Sequence, residues 1–380
     1  SLSYEEIDQQ SNQLANYLIS EKKVAAGDLV GIYLDDYDQL ITSILGVLKT
    51  GAAFVPIDME LPSNRVTFMV EDAAIEVVIS DIDDPMEHQH LAKHVVMPAM
   101  AIGKGSAEAP VVAISPEQTA YVMYTSGTTG NPKGIEISMA ALTDYALSFA
   151  AYFDLGSEDL VIQQASVSFD TFIEEVFPIL TAGGRLRIMY TDDRKNVELL
   201  MEEVKRYDNA ILSVTPSFIN EMKEYVTELS SLKALISGGE ELKPAHYGSL
   251  WKAGNLYNSY GPTETTVCVT YHQVTAAESG KVIGKPMDNH HVYVLSEELQ
   301  LMPVGVQGAI CIAGPGVAKG YFNNEELTRP RFVRNPYQLQ TVLYRTGDIG
   351  QWDHDGNLLY IGRKDDQVKV RGYRIELGEI

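Results

Sequence analysis

The chain has 380 residues, of which 45% are hydrophobic and 21% charged, a composition typical of a globular protein that buries a large core and divides into lobes. Its 29 basic and 52 acidic residues give a formal net charge of -23, which argues against nucleic acid and anionic membranes as partners. Two cysteines, Cys268 and Cys311, are too few for a disulfide framework and favour a reducing cytoplasm. The sequence contains no signal peptide and no apolar run of the roughly 20 residues that a membrane span requires.

The N-terminal residues alternate between helical and extended patterns. Apolar residues recur at helical spacing over Leu2–Leu18, and Leu29–Leu34 predicts a buried strand. A helix over Gln39–Lys49 and a strand over Ala53–Ile57 complete a strand–helix–strand unit. The polar segment Asp81–Pro110 is predicted to be an irregular surface excursion.

The same alternation continues to about residue 260. Amphipathic stretches, Asn196–Tyr207 and Ser217–Leu229 among them, separate short apolar strands. These strands are predicted at Ala120–Tyr124, Leu186–Met189, Ile211–Val214, Ala234–Ile236 and Leu256–Tyr257. The pattern indicates an α/β fold with a mostly parallel sheet covered by helices, in which ligands bind at the carboxyl ends of the strands. Beyond about Lys281, short β segments separated by Gly and Pro predict a small β-rich lobe.

The segment Tyr124–Gly134 (YTSGTTGNPKG) has the composition of a phosphate-binding loop. Glycines allow the backbone to curl with its N–H groups inward, hydroxyls add donors and a lysine adds a cation. The residues concerned are Thr125, Ser126, Gly127, Thr128, Thr129, Gly130 and Lys133. The loop is expected to connect the preceding strand to a helix starting near Ser138, and its spacing differs from that of the common P-loop.

At this loop the sequence resembles the signature of the acyl-adenylate-forming (AMP-binding) superfamily, and specifically the adenylation domains of nonribosomal peptide synthetases. Five further segments resemble motifs of that family in the same order. They are Leu48–Asp58 (LKTGAAFVPID), Asn258–Glu264 (NSYGPTE), Gly308–Tyr321, Tyr344–Asp348 (YRTGD) and Gly362–Glu379. The resemblance implies two stacked sheet-and-helix lobes plus a small β-barrel-like lobe, without the C-terminal subdomain.

The resemblance also implies the reaction, which is activation of an amino acid by ATP as aminoacyl-AMP with release of pyrophosphate. The charge that develops on the α-phosphate requires cations, a metal ion and aimed donors. Catalytic roles fall on the loop residues named above, on Thr263, whose hydroxyl contacts the α-phosphate, and on Glu264, which holds Mg²⁺. Nucleotide binding falls on Gly127, Gly130, Asn258, Tyr260, Gly261, Asp348, Tyr360 and Arg363. In this set Asp348 accepts the ribose hydroxyls with Arg363 beside it, Asn258 reads the adenine amine, and Tyr260 or Tyr360 packs on the adenine face.

The amino-acid pocket is also carried over from the family, position by position. It consists of Asp170, Thr171, Glu174, Ser213, Ile236, Gly238, Ser259, Val267 and Cys268. Asp170 occupies the position that binds the substrate α-ammonium, which favours an α-amino acid over an aryl or fatty acid. Cys268 is expected to act as a small neutral side chain rather than a nucleophile.

Glu174 is the informative member of the pocket, because a lone buried carboxylate demands a cation or a raised pKa. A substrate ammonium or guanidinium meets that demand, with an attraction of about 4 kcal/mol at about 4 Å and an effective dielectric near 20. The residue set resembles those of lysine-activating modules, so we expect Lys, then Orn or Arg. The alternative is that Glu174 or the adjacent Glu175 is a solvated helix residue or pairs with a protein cation.

The chain is expected to be a fragment, with an adenylation core over residues 1–361, a β-rich lobe over about 281–361, and a hinge with the start of a C-terminal subdomain over 362–380. The resemblance places the hinge at Asp365 and a catalytic lysine beyond Ile380, so we expect slow turnover. It implies a carrier (thiolation) domain bearing phosphopantetheine and a condensation domain as partners.

Two other classes of protein stay open on the sequence. A stand-alone acyl- or aryl-CoA ligase would lack Asp170 and have no carrier domain, and a catalytically silent scaffold would have a damaged phosphate loop. His88, His90 and His94 have spacing that could hold a metal but have no fourth ligand.

Overall fold

The computed structural model describes residues 1–34, 37–82, 92–125, 132–190, 193–194, 196–207, 209–276, 280–364, 367–370 and 373–376. These residues form two compact units. The first unit comprises Ser1–Thr125, Asn131–Ala140 and Tyr321–Asn323, and the second comprises Ser126–Gly130, Ala141–Gly320 and Asn324–Ile380. In the part of the chain that the model describes, no helix is long and apolar enough to cross a membrane.

The first unit is built on a seven-stranded sheet. Its helices are α1 (Tyr4–Lys22), α2 (Tyr37–Lys49), α3 (Ser63–Asp72) and α4 (Pro98–Ala101). Its strands are β1 (Leu29–Tyr33), β2 (Ala53–Pro56), β3 (Val77–Ser80), β4 (His94–Val96), β5 (Thr119–Thr125) and β6 (Lys133–Ser138). The order is β16-β6-β5-β2-β1-β3-β4, with β16 at Gly320–Tyr321. Strands β5, β2, β1, β3 and β4 are parallel, and of these the sequence predicts β1, β2 and β5.

Local sequence signals explain where α1 begins. Ser3 accepts a hydrogen bond from the Glu6 backbone N–H, and the Glu6 carboxylate accepts one from the Ser3 backbone N–H. This reciprocal arrangement is a capping box, which satisfies two backbone donors that the first turn leaves without partners.

Two predictions about the first unit are wrong. The phosphate-type loop does not lead directly from a strand into a helix, because β6, which pairs antiparallel with β5, lies between the loop and the helix; that helix begins at Met139, close to the predicted Ser138. Ile135 and Ile137, both fully buried, alternate with Glu136 and give β6 a buried face. The segment Asp81–Pro110 is also not wholly irregular, since it contains β4, which extends the sheet by pairing with β3, and α4.

The second unit contains a twelve-stranded sheet. Its helices are α5 (Met139–Tyr152), α6 (Thr171–Thr181), α7 (Val197–Arg206), α8 (Pro216–Met222), α9 (Val226–Leu229), α10 (Pro244–Tyr247) and α11 (Glu325–Arg331), with 3₁₀ turns at Leu250–Ala253 and Thr263–Thr265. Its strands are β7 (Leu160–Gln163), β8 (Arg185–Ile188), β9 (Ala210–Val214), β10 (Ala234–Ser237), β11 (Leu256–Tyr260), β12 (Thr270–Gln273), β13 (Val282–Pro286), β14 (His291–Leu295), β15 (Gly308–Ala313), β17 (Phe332–Arg334), β18 (Val342–Trp352) and β19 (Leu358–Arg363). The predicted amphipathic stretch Ser217–Leu229 corresponds to two helices, α8 and α9.

The order β14-β15-β18-β19-β13-β12-β11-β10-β9-β7-β8, with β17 on β18, joins a parallel half to an antiparallel half. Strands β8 to β11 are parallel along this order, and β12 is the first antiparallel strand. The β-rich segment predicted after about residue 281 therefore continues the main sheet through the pairing of β13 with β19. A separate short hairpin joins β20 (Gln367–Val370) to β21 (Tyr373–Glu376).

Candidate functional site

Most of the predicted phosphate loop lies outside the described residues. This applies to Ser126, Gly127, Thr128, Thr129 and Gly130. The two ends of the loop are described in the first unit, where Thr125 ends β5 opposite Lys133 at the start of β6. The Thr125 Oγ1 is buried and has no hydrogen-bond partner within the described ranges, and the Lys133 Nζ lies 5.0 Å from the centroid of the Tyr321 ring. The other predicted site residues belong to the second unit.

Several residues predicted to line the amino-acid pocket lie towards the carboxyl ends of adjacent parallel strands. Ser213 near the end of β9 is the register partner of Ile236 on β10. Ser259 on β11 is buried, and its hydroxyl donates to the Ser237 backbone carbonyl at 3.2 Å. These positions follow from the rule that places ligand sites at the carboxyl edge of a parallel sheet.

Next to these strand ends, two glycines pack so closely against neighbouring residues that a side chain would not fit. A Cβ on Gly238 would lie 2.3 Å from the Ser259 Oγ, and one on Gly261 would lie 2.5 Å from the Cys268 Cα. Val267 has φ of 66°, a left-handed conformation that costs energy for a β-branched residue. The glycines therefore permit a tight turn that brings Val267 and Cys268 back beside β11.

Asp170 and Thr263 come together from distant parts of the sequence. The Thr263 hydroxyl donates to the Asp170 carboxylate at 2.5 Å. Asp170 immediately precedes α6, whose first residue is Thr171, and Thr263 opens the 3₁₀ turn after β11. The side chain expected to bind the substrate amine therefore contacts the side chain expected to bind the α-phosphate.

Asp348 is the centre of a second polar cluster, in β18. Its carboxylate accepts a hydrogen bond from the Tyr260 hydroxyl at 2.6 Å and forms an ion pair with Arg363 at 2.8 Å. The Tyr360 ring centroid lies 6.2 Å from that of Tyr260. Burial, followed by the nearby Asp348 charge, raises the pKa of Tyr260 well above its ordinary value, so this tyrosine is a donor at neutral pH. Four residues predicted to bind the nucleotide are thus neighbours.

Asn258 and Glu264 lie on the same strand-and-turn segment. The Asn258 amide N–H groups donate to the backbone carbonyls of Val282, at 2.7 Å, and Gly280, at 3.3 Å. This arrangement leaves the side-chain oxygen as the atom that could accept a hydrogen bond from an adenine amine. Glu264 has no solvent-exposed surface, and its backbone carbonyl accepts a hydrogen bond from the Ala318 N–H at 2.9 Å.

Glu174 lies on the first turn of α6 and is 3% exposed. Its Oε2 accepts hydrogen bonds from the hydroxyls of Tyr145 and Tyr271, each at 2.7 Å, and its Oε1 accepts one from Ser213 at 2.6 Å. Within the described ranges, Glu174 forms no ion pair with a lysine, arginine or histidine. Burial raises its pKa, opposed by these three hydroxyl donors. Sequence reasoning missed Tyr145 on α5 and Tyr271 on β12.

Glu175, the adjacent carboxylate, has a different environment. Its Oε2 accepts hydrogen bonds from the backbone N–H groups of Ala165 and Gln164, at 3.0 and 3.2 Å, and from the Gln163 amide at 3.1 Å. It is 1% exposed, and burial raises its pKa to about 8. The alternative that one of the two glutamates is solvated is therefore wrong: both are buried, and Glu175 fixes the segment after β7.

Two weaker candidates are the Cys268 thiol and the three histidines His88, His90 and His94. Burial raises the pKa of the Cys268 thiol well above its ordinary value, as does the nearby Glu174 charge, so the thiol is neutral. His94 opens β4, and His88 and His90 lie outside the described residues. Among the described residues, no group of three or more His, Cys, Asp or Glu side chains is placed to hold a metal ion. Asp365, the predicted hinge, is also outside the described ranges.

The fold and these clusters can be compared with known proteins. Residues 1–322 match the family model described as AMP-binding enzyme. The whole chain aligns with the bacitracin synthase 2 of Bacillus licheniformis at 38% identity over 384 residues, and with the tyrocidine synthase 2 of Brevibacillus parabrevis at 37% over 398 residues. It spans 14% and 11% of the lengths of these two relatives.

Solved structures agree with this assignment. The whole chain superposes on 77% of NpsA-ThdA, an artificially fused adenylation-PCP di-domain from Klebsiella oxytoca, with a TM-score of 0.89 and 26% identity. It superposes equally well, at 28% identity, on 66% of holo-PA1221, a nonribosomal peptide synthetase protein containing adenylation and PCP domains. A third match pairs 95% of the chain with 93% of the Klebsiella oxytoca NpsA N-terminal subdomain, with a TM-score of 0.84 and 25% identity.

The chain belongs to the AMP-binding enzyme family, a family of ATP-using adenylating ligases. Within that family, the predicted resemblance to the N-terminal core of nonribosomal peptide synthetase adenylation domains is confirmed. The α/β fold class is confirmed by the same comparisons.

Proposed function

We propose that this protein activates an amino acid with ATP, forming aminoacyl-AMP and pyrophosphate, and presents it to the phosphopantetheine thiol of a carrier domain. The hydrogen bond between Asp170 and Thr263 is the observation that supports this best. A carboxylate suited to an α-ammonium and a hydroxyl suited to a phosphate lie within one hydrogen bond of each other, as the attack of an amino-acid carboxylate on the α-phosphate requires.

In this proposal the Asp348 cluster binds the adenosine. Each carboxylate oxygen of Asp348 already accepts one hydrogen bond, from Tyr260 or Arg363, and each has a second lone pair for a ribose hydroxyl. The Tyr260 and Arg363 donors hold the carboxylate in place. The Asn258 side-chain oxygen reads the adenine amine, and Tyr360 or Tyr260 packs on the ring.

By resemblance to the family, contacts with the phosphates of ATP are assigned to the loop residues Thr125, Ser126, Thr128, Thr129 and Lys133, and a contact with the α-phosphate is assigned to the Thr263 hydroxyl. Backbone N–H groups, hydroxyls and the Lys133 ammonium would stabilise the charge that develops during attack. Gly261 lets the turn that carries Thr263 pack closely.

Glu264 is assigned to Mg²⁺. The single carboxylate fits this ion, because Mg²⁺ in nucleotide sites keeps several waters and takes the rest of its ligands from phosphates. When bound, the ion would neutralise phosphate charge. Since Glu264 has no exposed surface, its contact with the ion requires the atoms that cover it to move as the nucleotide binds.

The environment of Glu174 supports the proposal that the substrate has a cationic side chain, Lys first and then Orn or Arg. Three hydroxyl donors occupy three of the four lone-pair positions of the carboxylate and leave one on Oε1. No described protein cation neutralises it, so the substrate ammonium would provide the missing charge. Gly238, Ser213 and Ser259 keep the surrounding side chains small, and Thr171, Ile236, Val267 and Cys268 complete the pocket.

The proposal extends to the organisation of the complete protein. Residues 1–361 would form the adenylation core and 362–380 the hinge, with Asp365 as its pivot. The structural neighbours that contain adenylation and PCP domains support a carrier domain as partner. A condensation domain and a cytoplasmic location complete the proposal.

Calorimetric binding of Lys, Orn, Arg, Tyr and Glu in the presence of ATP and Mg²⁺ tests the proposed substrate class. We expect the three cationic amino acids to bind at least about tenfold more tightly than the others, about 1.4 kcal/mol. Equal or tighter binding of Tyr or Glu would show that the pocket selects something else.

Two variants test the proposed roles of Glu174 and Asp170 in the same binding assay. Glu174→Gln keeps the size of the side chain and removes its charge, so it should abolish the preference for cationic amino acids. Asp170→Asn should weaken all five, because every α-amino acid carries the ammonium that Asp170 is proposed to bind. Retained preference in the Glu174 variant would contradict the role of Glu174.

A further inference from the structure

Three oxygen atoms form a closed triangle beside the proposed substrate pocket. Glu174 Oε2 lies 2.7 Å from the Tyr145 Oη and 2.7 Å from the Tyr271 Oη, and the two tyrosine oxygens lie 3.0 Å from each other. All three side chains are buried. Each side of the triangle has the length of an O–H···O hydrogen bond.

The number of protons on the three oxygens determines how many sides of the triangle are hydrogen bonds. Two tyrosine hydroxyls supply two protons, and an ionised carboxylate supplies none. In the ionised state both hydroxyls donate to Oε2 and face each other through lone pairs at 3.0 Å. If Glu174 carries a proton, the carboxyl donates to Tyr145, Tyr145 donates to Tyr271 and Tyr271 donates to Oε2, which fills all three sides.

The groups around the triangle do not supply a positive charge. Tyr145 on α5 and Tyr271 on β12 keep their protons, because burial raises the pKa of each well above its ordinary value. Cys268 faces Glu174 as a neutral thiol, and the adjacent Glu175, whose own pKa is raised by burial and by the Glu174 charge, supplies no positive charge either. Asp170, which acts on Cys268, adds a further carboxylate to the same pocket.

We propose that Glu174 is protonated in the empty pocket and releases that proton to the solvent when a cationic side chain binds, with Tyr145 and Tyr271 acting as positioning residues. This inference rests on the proposed function. One proton leaves the protein for each cationic side chain that binds. The substrate ammonium keeps its own proton, the O–H bond of the Glu174 carboxyl breaks, and the released proton passes to the buffer. The two tyrosines then donate to the carboxylate and stabilise its charge.

Proton release makes substrate binding depend on pH in a defined direction. Where the empty pocket holds the proton and the occupied pocket does not, the affinity for lysine rises with pH by up to about tenfold per unit. Above the pKa of the empty-pocket Glu174 the dependence disappears. The lysine ammonium, with an ordinary pKa of about 10.4, stays charged throughout.

Calorimetry in buffers of different ionisation enthalpy counts these protons. Lysine binding to the 380-residue chain, with ATP and Mg²⁺ present, should release up to about one proton more than norleucine binding at pH about 6. Norleucine is the matched ligand, because it carries the same α groups and a side chain of similar length without the ammonium. Glu174→Gln should reduce the difference to zero, and Glu175→Gln should leave it unchanged.

The outcomes separate the two proposals. Lysine that binds more tightly than norleucine without excess proton release between pH about 5 and about 9 would overturn this inference and leave the proposed substrate class standing. Lysine that binds no better than norleucine would overturn both.

Tyr145→Phe and Tyr271→Phe test the positioning role. Each removes one donor to the carboxylate, so the proton should be held more firmly and excess release should continue to higher pH than in the wild type. A purely structural role of the hydroxyls would change stability but leave the pH profile of proton release where it is. An unchanged profile in both variants would contradict the assignment.

Discussion

Three buried carboxylates in the second unit have different hydrogen-bond partners. Asp348 has an arginine and a tyrosine hydroxyl, Glu174 has three hydroxyls, and Glu175 has backbone N–H groups and an amide. Backbone donors fix a loop, an arginine forms an ion pair with its carboxylate, and hydroxyls alone leave a negative charge to be balanced by a ligand. Each environment leads to a separate expectation.

Glu175 should make stability depend on pH. Its pKa is raised from an ordinary 4.5 to about 8, so the folded state binds more protons than the unfolded state between these values. Its contribution to stability is complete below pH about 4.5 and is lost as the pH rises through about 8. Glu175→Gln keeps an acceptor for the Ala165 N–H and cannot ionise.

The melting temperature of Glu175→Gln relative to wild type should therefore increase as the pH is raised from about 6 to about 9. Glu326→Gln, at an exposed position on α11, is the matched control and should show no such trend. A difference that is constant with pH would mean that Glu175 stays ionised in the folded protein.

Asp348 should contribute to the binding of ATP but not to the binding of the amino acid in the absence of ATP. Asp348→Ala is expected to weaken ATP binding at least about tenfold, or about 1.4 kcal/mol, measured by calorimetry with Mg²⁺. Tyr260→Phe, which removes one supporting donor, should have a smaller effect. Asp355→Ala, an exposed carboxylate between β18 and β19, serves as the control, and unchanged ATP affinity in Asp348→Ala would remove the ribose assignment.

At the scale of elements, the turn after β11 packs closely against the backbone of two residues proposed to line the pocket. A Cβ at Gly261 would lie 2.5 Å from backbone atoms of Val267 and Cys268, and backbone cannot yield as a flexible side chain can. We expect Gly261→Ala to destabilise the protein by about 1–3 kcal/mol and to weaken both substrates, as measured by denaturant unfolding and calorimetry.

Gly156→Ala provides the comparison for that variant. No atom lies within 4 Å of a Cβ built at Gly156, so its stability should stay close to that of the wild type. Equal stability of the two variants would show that the turn relaxes without cost and that Gly261 is not required by packing.

Periodicity in the sequence predicts many of the buried strands but not the pairing of β5 with β6. The buried strands β1, β2, β5, β9 and β10 lie within one or two residues of their predicted bounds, because continuous apolar runs mark strands buried on both faces. The hairpin of β5 and β6 was missed, although alternation at Ile135 and Ile137 marks a strand. The resemblance to a phosphate-binding motif favours a loop followed by a helix at these residues, whereas the local alternation favours a strand.

The Glu174 site was predictable only in part. Its carboxylate stood out because acidic residues are rare in an apolar pocket, and resemblance supplied its position. Tyr145 and Tyr271 carry no such signal: Tyr145 lies on the same helical face as Phe149, and Tyr271 contacts that ring edge-on. Both are typical of aromatic core residues, and only three-dimensional structure shows that their hydroxyls meet at one carboxylate oxygen.

At the scale of the whole molecule, a chain with a net charge of -23 is proposed to bind an anionic nucleotide. The groups responsible come from segments more than 80 residues apart, such as Tyr260 with Asp348 and Asp170 with Thr263. Both clusters therefore depend on the folded second unit to bring their residues together. The central claim is that these clusters serve one ligand made of an amino acid joined to an adenosine.

The most direct measurement compares lysyl-sulfamoyl-adenosine, a non-hydrolysable mimic of lysyl-AMP, with AMP and lysine. If one site holds both halves, the linked molecule should bind at least about 100-fold more tightly than AMP, about 2.8 kcal/mol. Asp170→Asn and Asp348→Ala should each weaken it. An affinity no greater than that of AMP, with lysine still binding beside the linked molecule, would show that the two halves occupy separate sites and would contradict the account.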